Sequence, residues 1–286
     1  MFTVTLNAVI TGLIYGSIWG IIALGFTLVF GVMNFVNFAH GSFVLLPSYL
    51  SFILFVSWGI DPYISLILII PLSFILGLFV YKYLGDRIID EPHSVHIIVT
   101  LGLCFFIENA ILLLAGGDIR SAVTSYTSST FKIESIIISY SRFWASLVSW
   151  LCVVLLFIFL KYTDFGVMIR AAADNKEGAK IVGIFVDRVY LIAFGLSTLI
   201  AGIAGAIIIP FYLISPFSGM DLLTKAFCAV VIGGLGSIPG AIIGGLIIGV
   251  VECVAGVFFK ASLGNALTFF IMILVLIFKP NGLFGE

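Results

Sequence analysis

Apolar residues run along this chain in long blocks separated by short polar breaks. Nine blocks stand out, at 8–30, 41–57, 63–81, 97–115, 143–160, 190–210, 222–236, 240–259 and 265–279. A helix that crosses a bilayer needs about 20 such residues. The block at 222–236 is short and broken by glycines, the pattern of a half-helix or a re-entrant piece. Backbone in lipid has to bond to itself, and few stretches alternate as strands do, so helices are the economical solution. The pattern predicts an all-α polytopic membrane protein over residues 1–286, with eight or nine transmembrane helices in one domain. The polar break at 116–142, with Ser121–Thr130 followed by the alternating Phe131-Lys132-Ile133-Glu134, reads as a solvated loop or as a small hairpin over a pore mouth. Met1-Phe2-Thr3-Val4 carries no basic residue and the first apolar run passes Phe30, which fits an uncleaved first span better than a signal peptide.

Composition supports this reading. Of 286 residues, 62% are hydrophobic and 9% are charged, against about 25% charged in soluble domains. With a net charge of -1 and no basic stripe, the chain has no field to attract nucleic acid. Cys104, Cys152, Cys228 and Cys253 each lie in an apolar run without a CxxC pair, as small packing residues do. The first basic residue is Lys82. If the N-terminus is outside, Lys82, Arg87, Lys161, Arg170, Lys176, Lys180, Arg188 and Lys279 fall inside. Arg120, Lys132, Arg142, Lys225 and Lys260 fall outside, an asymmetry with the sign of the positive-inside rule.

Glycines predict how the helices meet. Gly12, Gly16 and Gly20 recur every fourth residue, as do Ala201 and Gly205, and Gly245 and Gly249. Such strips let a second helix approach closely, in this chain or in another subunit, with the same chain favoured. Gly234-Leu235-Gly236-Ser237-Ile238-Pro239-Gly240 has its last glycine one place too late for a dinucleotide loop and reads as a tight turn between helices.

Few polar groups fall inside the spans. Glu108, beside Asn109, and Glu252 are placed where ionised groups are costly. Each either makes an interhelical hydrogen bond as a neutral acid or lines a polar pathway, with Lys225 as a partner for one of them. Asn34, Asn37 and His40 interrupt the region between the first two spans, as a cavity lining or as a simple turn. His93 and His96 near Glu91 lack a fourth ligand, so no metal is expected. No GxSxG or comparable nucleophile frame is present.

The loop at about 161–189 differs from its surroundings. It is charged and rich in alanine, from Thr163 through Arg170-Ala171-Ala172-Ala173-Asp174 to Glu177, Ala179, Gly183 and Ile184. Asp174 with Glu177 three residues on is a capping-box pattern, and Gly183 is a helix stop. A short cytoplasmic helix is expected at about 174–182, a natural handle between long spans.

This loop resembles the coupling loop of permeases in ABC importers of the branched-chain amino acid group (LivH/LivM type). Asn37-Phe38-Ala39-His40-Gly41 resembles that family's early NFAHG signature. Gly233–Ala241 with Gly244-Gly245 and Glu252 resembles its late glycine-rich motif, and Lys279–Gly285 resembles its C-terminal KPxGLFG. Gly178 departs from the alanine common in the coupling stretch. Length and the NFAHG form place the chain nearer LivH than LivM.

The resemblance implies a transport subunit rather than an enzyme, in the bacterial cytoplasmic (inner) membrane. It implies a second homologous permease (LivM type), two ATP-binding subunits (LivG/LivF type) and a substrate-binding protein (LivJ/LivK type). The chain has no GxxxxGK followed by Ser or Thr, so ATP is expected to be used by the partners and no cofactor is expected here. Residues 170–174, 177, 179, 183 and 184 are expected to meet the ATPases. Asn34, Asn37, His40, Glu108, Asn109 and Glu252 are expected along the pathway of leucine, isoleucine or valine. The rival readings are the same machine with urea, short amides or other amino acids as cargo, an ion-coupled secondary transporter or channel, and, weakest, a membrane enzyme.

Overall fold

The computed structural model describes residues 1–133, 136–259 and 261–285. The helices are α1 (Phe2–Met33), α2 (His40–Trp58), α3 (Pro62–Val80), α4 (Asp86–Ile88), α5 (His93–Ala115), α6 (Tyr140–Tyr162), α7 (Asp164–Asp174), α8 (Lys176–Ile181), α9 (Val186–Ile208), α10 (Ser218–Gly233), α11 (Ile238–Phe258) and α12 (Ala261–Phe278). A π-helical turn, Tyr81–Gly85, joins α3 to α4.

Among the described residues seven helices, α1, α2, α3, α5, α6, α9 and α11, are long and apolar enough to cross a membrane, where the apolar blocks had predicted eight or nine. The difference lies in α10 and α12. α10 has 16 residues and carries Asp221 and Lys225, so it extends about 24 Å at 1.5 Å per residue, short of the ~30 Å hydrocarbon core. In α12 the apolar run is Leu263–Phe278.

α1 and α9 form the middle of the bundle, with 78% of each apolar window buried, whereas α3, α5 and α6 turn most of their surface outward. The glycine strips explain how α1 is enclosed. α1 packs along α11, with Gly12 against Val250, Gly16 against Leu246 and Gly20 against Ile242. A Cβ added at Gly12 or Gly16 would stand 2.6 Å from a backbone Cα of α11. The partner of the predicted strip is thus in the same chain. A second close approach joins α2 to α10, where a Cβ on Gly41 would fall on the Gly219 carbonyl oxygen.

The polar stretch at 116–142 takes the hairpin form. β1 (Thr130–Ile133) pairs antiparallel with β2 (Ile136–Ser139), Thr130 opposite Ser139 and Ile133 opposite Ile136. Glu134, part of the alternating stretch, lies outside the described residues, as does Lys260. The hairpin is fastened to α1, because the Ile137 N–H donates to Asn7 Oδ1 at 3.0 Å. The loop before it is held from two sides. Arg120 exchanges backbone hydrogen bonds with Ile214 after α9, and the Tyr126 hydroxyl donates to Asp61 Oδ2 at 2.7 Å. Asp61 also caps α3, its Oδ1 accepting from the Tyr63 N–H.

At the opposite end the last residues close α10. The Leu283 and Phe284 N–H groups donate to the carbonyls of Ile232 and Gly233, both at 2.9 Å. Gly234 and Gly282, at φ 112° and 82°, make the turns that bring these strands of chain together. The tail thereby satisfies two carbonyls that the end of α10 leaves without an intrahelical donor.

Gly249→Leu is expected to lower the unfolding free energy of the purified chain by about 1–3 kcal/mol, the cost of forcing a side chain into a closed seam. Gly256→Ala on the same helix, where an added Cβ meets open space, should stay within about 0.5 kcal/mol. Thermal unfolding in detergent measures both, and equal effects would show that the α1–α11 seam is not tightly packed.

Candidate functional site

The chain leaves α1 at Asn34, which takes the left-handed conformation (φ 51°) and donates its N–H to the Phe30 carbonyl. Asparagine is one of the few residues that end a helix this way without glycine. Residues 34–39 then turn back into the bundle, because α2 starts at His40, whose Nε2 lies 2.9 Å from the Ile22 carbonyl, about three turns up α1. The carbonyl can only accept, so Nε2 carries the proton and Nδ1, buried without a partner, is left as an acceptor. Gly25 makes room for the imidazole, since a Cβ there would stand 2.8 Å from His40 Cε1.

This re-entrant segment is bonded at membrane depth. Asn37 Oδ1 accepts from the Ala39 N–H at 3.0 Å and the Asn37 carbonyl accepts from the His40 N–H at 3.3 Å. Thr100 Oγ1 accepts from the Phe38 N–H at 3.0 Å. Thr100, Cys104 and Glu108 recur every fourth residue on one face of α5. Above Thr100, Ser42 Oγ donates to Cys104 Sγ at 3.1 Å. One turn further, the Glu108 carboxyl is 3% exposed and lies where a Cβ on Gly219 would stand 2.6 Å from its Oε1. Glu108 Oε1 and Asn37 Nδ2 are buried without hydrogen-bond partners. The Asn37 turn meets that face through the Phe38 N–H and the His40 imidazole is buried separately against α1, while Glu108 stands in one buried polar column with Ser42, Thr100 and Cys104. The last three were missed in the sequence, although the spacing of 100, 104 and 108 carries the signal.

The other three pathway candidates lie elsewhere. Asn109 is exposed on the far face of α5, its Nδ2 donating to the Phe105 carbonyl. Asn34 is exposed beside α7 and α8, sharing a crevice with Ala172, Ala173 and Lys176. Glu252 on α11 is paired with Lys225 on α10, Nζ to Oε1 at 2.8 Å and to Oε2 at 3.0 Å. Lys225 is thus the partner of Glu252 and not of Glu108. Its ammonium also lies 4.3 Å from the centre of the Trp19 ring. The pair opens to a cavity of about 230 Å³ lined also by Tyr212, Asp221, Thr224, Asn265 and Thr268. A larger cavity between α3, α6 and α9, about 490 Å³, is lined almost wholly by apolar side chains such as Leu66, Leu155 and Ile203, and touches none of these groups.

The 161–189 loop holds two helices rather than one. Thr163 caps α7, its Oγ1 accepting from the Gly166 N–H, and α7 continues to Asp174. Asn175, not Asp174, caps α8, with Oδ1 accepting from the Gly178 N–H at 2.8 Å. The predicted capping box is one residue out of register because Asp174 is still inside α7, and Glu177 pairs loosely with Lys180 at 3.5 Å instead. Gly183 stands at φ 87°, with the Ile184 N–H donating to the Ala179 carbonyl, a stop at the expected place. Ala172 and Ala179 face the bundle, while Arg170, Ala173, Asp174, Glu177 and Gly183 are exposed and Ala171 and Ile184 are half-buried.

α8 is tied to the bundle by Lys176, whose Nζ donates to Asp90 Oδ1 at 2.6 Å. The hydrogen bond and charge of Lys176 hold the Asp90 carboxyl below its usual range, and the bond to Asp90 pushes the Lys176 ammonium up. The Asp90 contribution is present above the ordinary carboxylate pKa and lost as pH falls through the lowered one. The Lys176 contribution is present below the ordinary lysine pKa and lost as pH rises through the raised one. The pair is therefore intact across the neutral range. No group of three or more metal-ligating side chains occurs among the described residues.

Residues 8–276 match the family model described as branched-chain amino acid transport system / permease component. The chain is 32% identical to the high-affinity branched-chain amino acid transport system permease protein LivH of Salmonella typhimurium, over 100% of this chain and 97% of that protein. It is 28% identical to the corresponding permease protein BraD of Pseudomonas aeruginosa, over 98% and 96%. A more distant relative, the fructose import permease protein FrcC of Rhizobium meliloti, is 28% identical over 82% of this chain and 66% of its own length. No solved structure matches. With seven apolar crossing helices and a family match along nearly its whole length, the chain is a multi-pass membrane protein that belongs to the branched-chain amino acid transport permease family.

Proposed function

We propose that this chain is the permease of an ATP-driven importer that carries leucine, isoleucine and valine across the bacterial cytoplasmic membrane by alternating access. A second permease of similar kind, two ATP-binding subunits and a substrate-binding protein complete the machine. α10 and α12 add to the seven long helices to give nine alternating passes. The N-terminus and the hairpin then face outward, and α7, α8 and the C-terminal tail face the cytoplasm.

The observation that carries this reading is the surface of the α7–α8 end. Ile181, Val182 and Phe185 are 85%, 76% and 69% exposed, beside the exposed charges of Arg170, Asp174, Glu177 and Lys180. Apolar side chains with a charged rim, at a surface outside the lipid, fit a protein partner. ATP-driven closure of that partner favours one orientation of the bundle by gripping α7–α8 differently in the two states. The substrate passes the buried polar groups of Asn37, His40 and Glu108 and the Lys225–Glu252 cavity, with Asn34 at the inner mouth. Asn109, turned outward, has no place in that route. Apolar helix faces tolerate the aliphatic side chains, and the scarce polar groups meet the charged backbone of the amino acid.

A cysteine at Glu177 in the assembled importer should crosslink to an ATP-binding subunit and label only from the cytoplasmic side. Labelling from outside would overturn the assignment. Glu108→Gln keeps the size of the side chain and should lower ATP-driven leucine uptake by about tenfold if the carboxyl contacts substrate in transit. Competition by valine but not by urea identifies the cargo, and the reverse would replace it with short amides.

A further inference from the structure

A closed ion pair inside a bilayer is a poor source of stability, because desolvating both ions offsets their attraction. Lys225 and Glu252 nevertheless face each other at 2.8 Å with side chains 17% and 16% exposed, so the pair is reachable from the cavity beside it. Asp221 lies one turn before Lys225 on α10 and lines the same cavity, so the cavity wall carries two carboxylates and one ammonium, with the Arg142 guanidinium nearby over the Tyr15 ring. In the same position the Lys225 Nζ lies 4.3 Å from the centre of the Trp19 ring, so the ammonium has an aromatic face beside it as well as Glu252.

We propose that this pair is a clamp for the zwitterion of the transported amino acid. The substrate carboxylate takes Lys225, its ammonium takes Glu252 with Asp221, and the pair opens as the substrate enters. The exchange leaves the net charge of the site unchanged and replaces one ion pair with two, so Lys225 and Glu252 each keep an opposite charge when they part. The Trp19 ring keeps Lys225 in place while the pair is open. Phe269 and Tyr212, on the same cavity wall, face the aliphatic side chain. Substrate identity rests on the function proposed above, but the recognition of paired opposite charges rests on this geometry.

The test uses the assembled importer in lipid nanodiscs without ATP. Asn265, exposed on the cavity wall, is replaced by cysteine on a background with Cys228→Ser, which removes the native thiol of that wall, and Cys253→Ser, after that variant is shown to transport. Leucine should slow maleimide labelling of this cysteine. Leucinamide and 4-methylvalerate, each lacking one charge, should protect about tenfold less well, as expected for a lost charge-assisted contact. Glu252→Gln and Lys225→Met should abolish the protection by leucine without changing labelling in its absence. The double variant Lys225→Glu with Glu252→Lys rebuilds a pair in reversed order and should keep assembly but not regain leucine protection. Full restoration by that variant would make the pair structural and overturn the proposal. So would undiminished protection in the single variants, or protection by sodium or potassium chloride alone. If leucine protects but ATP-driven leucine uptake fails, the clamp stands and the function proposed for the machine does not.

Discussion

No water reaches the hydrocarbon core to satisfy an unpaired N–H or C=O. Where a helix breaks within or near that core, this chain supplies the missing partners itself. The segment after α1 uses the side chains of Asn37 and Thr100 for this. The connection after α9 uses the backbone of Arg120, reaching in from the loop before the hairpin. The turn after α10 uses the C-terminal tail. Of the three, the segment after α1 is also where polar side chains gather, with Asn37 and Thr100 bonded there and Ser42 and Glu108 close by.

The helical blocks were legible because their period and length are properties of the chain alone. The glycine strip of α1 was legible too, but which helix it meets was not, and only the packing of Gly12, Gly16 and Gly20 on α11 identifies it. Direction around a helix was not legible. Glu108 and Asn109 are neighbours in sequence, yet one is buried against Gly219 and the other faces out of the bundle, because successive residues on a helix point about 100° apart. The depth of a polar residue predicts its cost, but the identity of its neighbour decides its role, as with Lys225 and Glu252. The α8 cap slipped by a residue for a similar reason. Thr163 starts a helix early enough to absorb Asp174, and only then is Asn175 the first free cap.

At one end of the bundle short contacts run from α8 to the segment after α1. Lys176 of α8 holds Asp90, the Ile88 carbonyl faces His96 Nε2 at 2.7 Å, and the His96 ring stacks on Phe35 in the re-entrant segment at 4.5 Å. Displacement of α8 therefore bears directly on the start of α5 and on the residues leading to Asn37 and His40. The π-helical turn at Tyr81–Gly85 lies next to this linkage, where a looser hydrogen-bond pattern gives α3 and α4 room to adjust.

The closure of α10 by Leu283 and Phe284 also orders events during synthesis. The carbonyls of Ile232 and Gly233 emerge from the ribosome well before the residues that cover them, so this end of the helix waits, uncovered, until Leu283 and Phe284 have been made. Removing those two residues would take away little mass and no long helix, yet would leave this end of a short, charged helix without its lid.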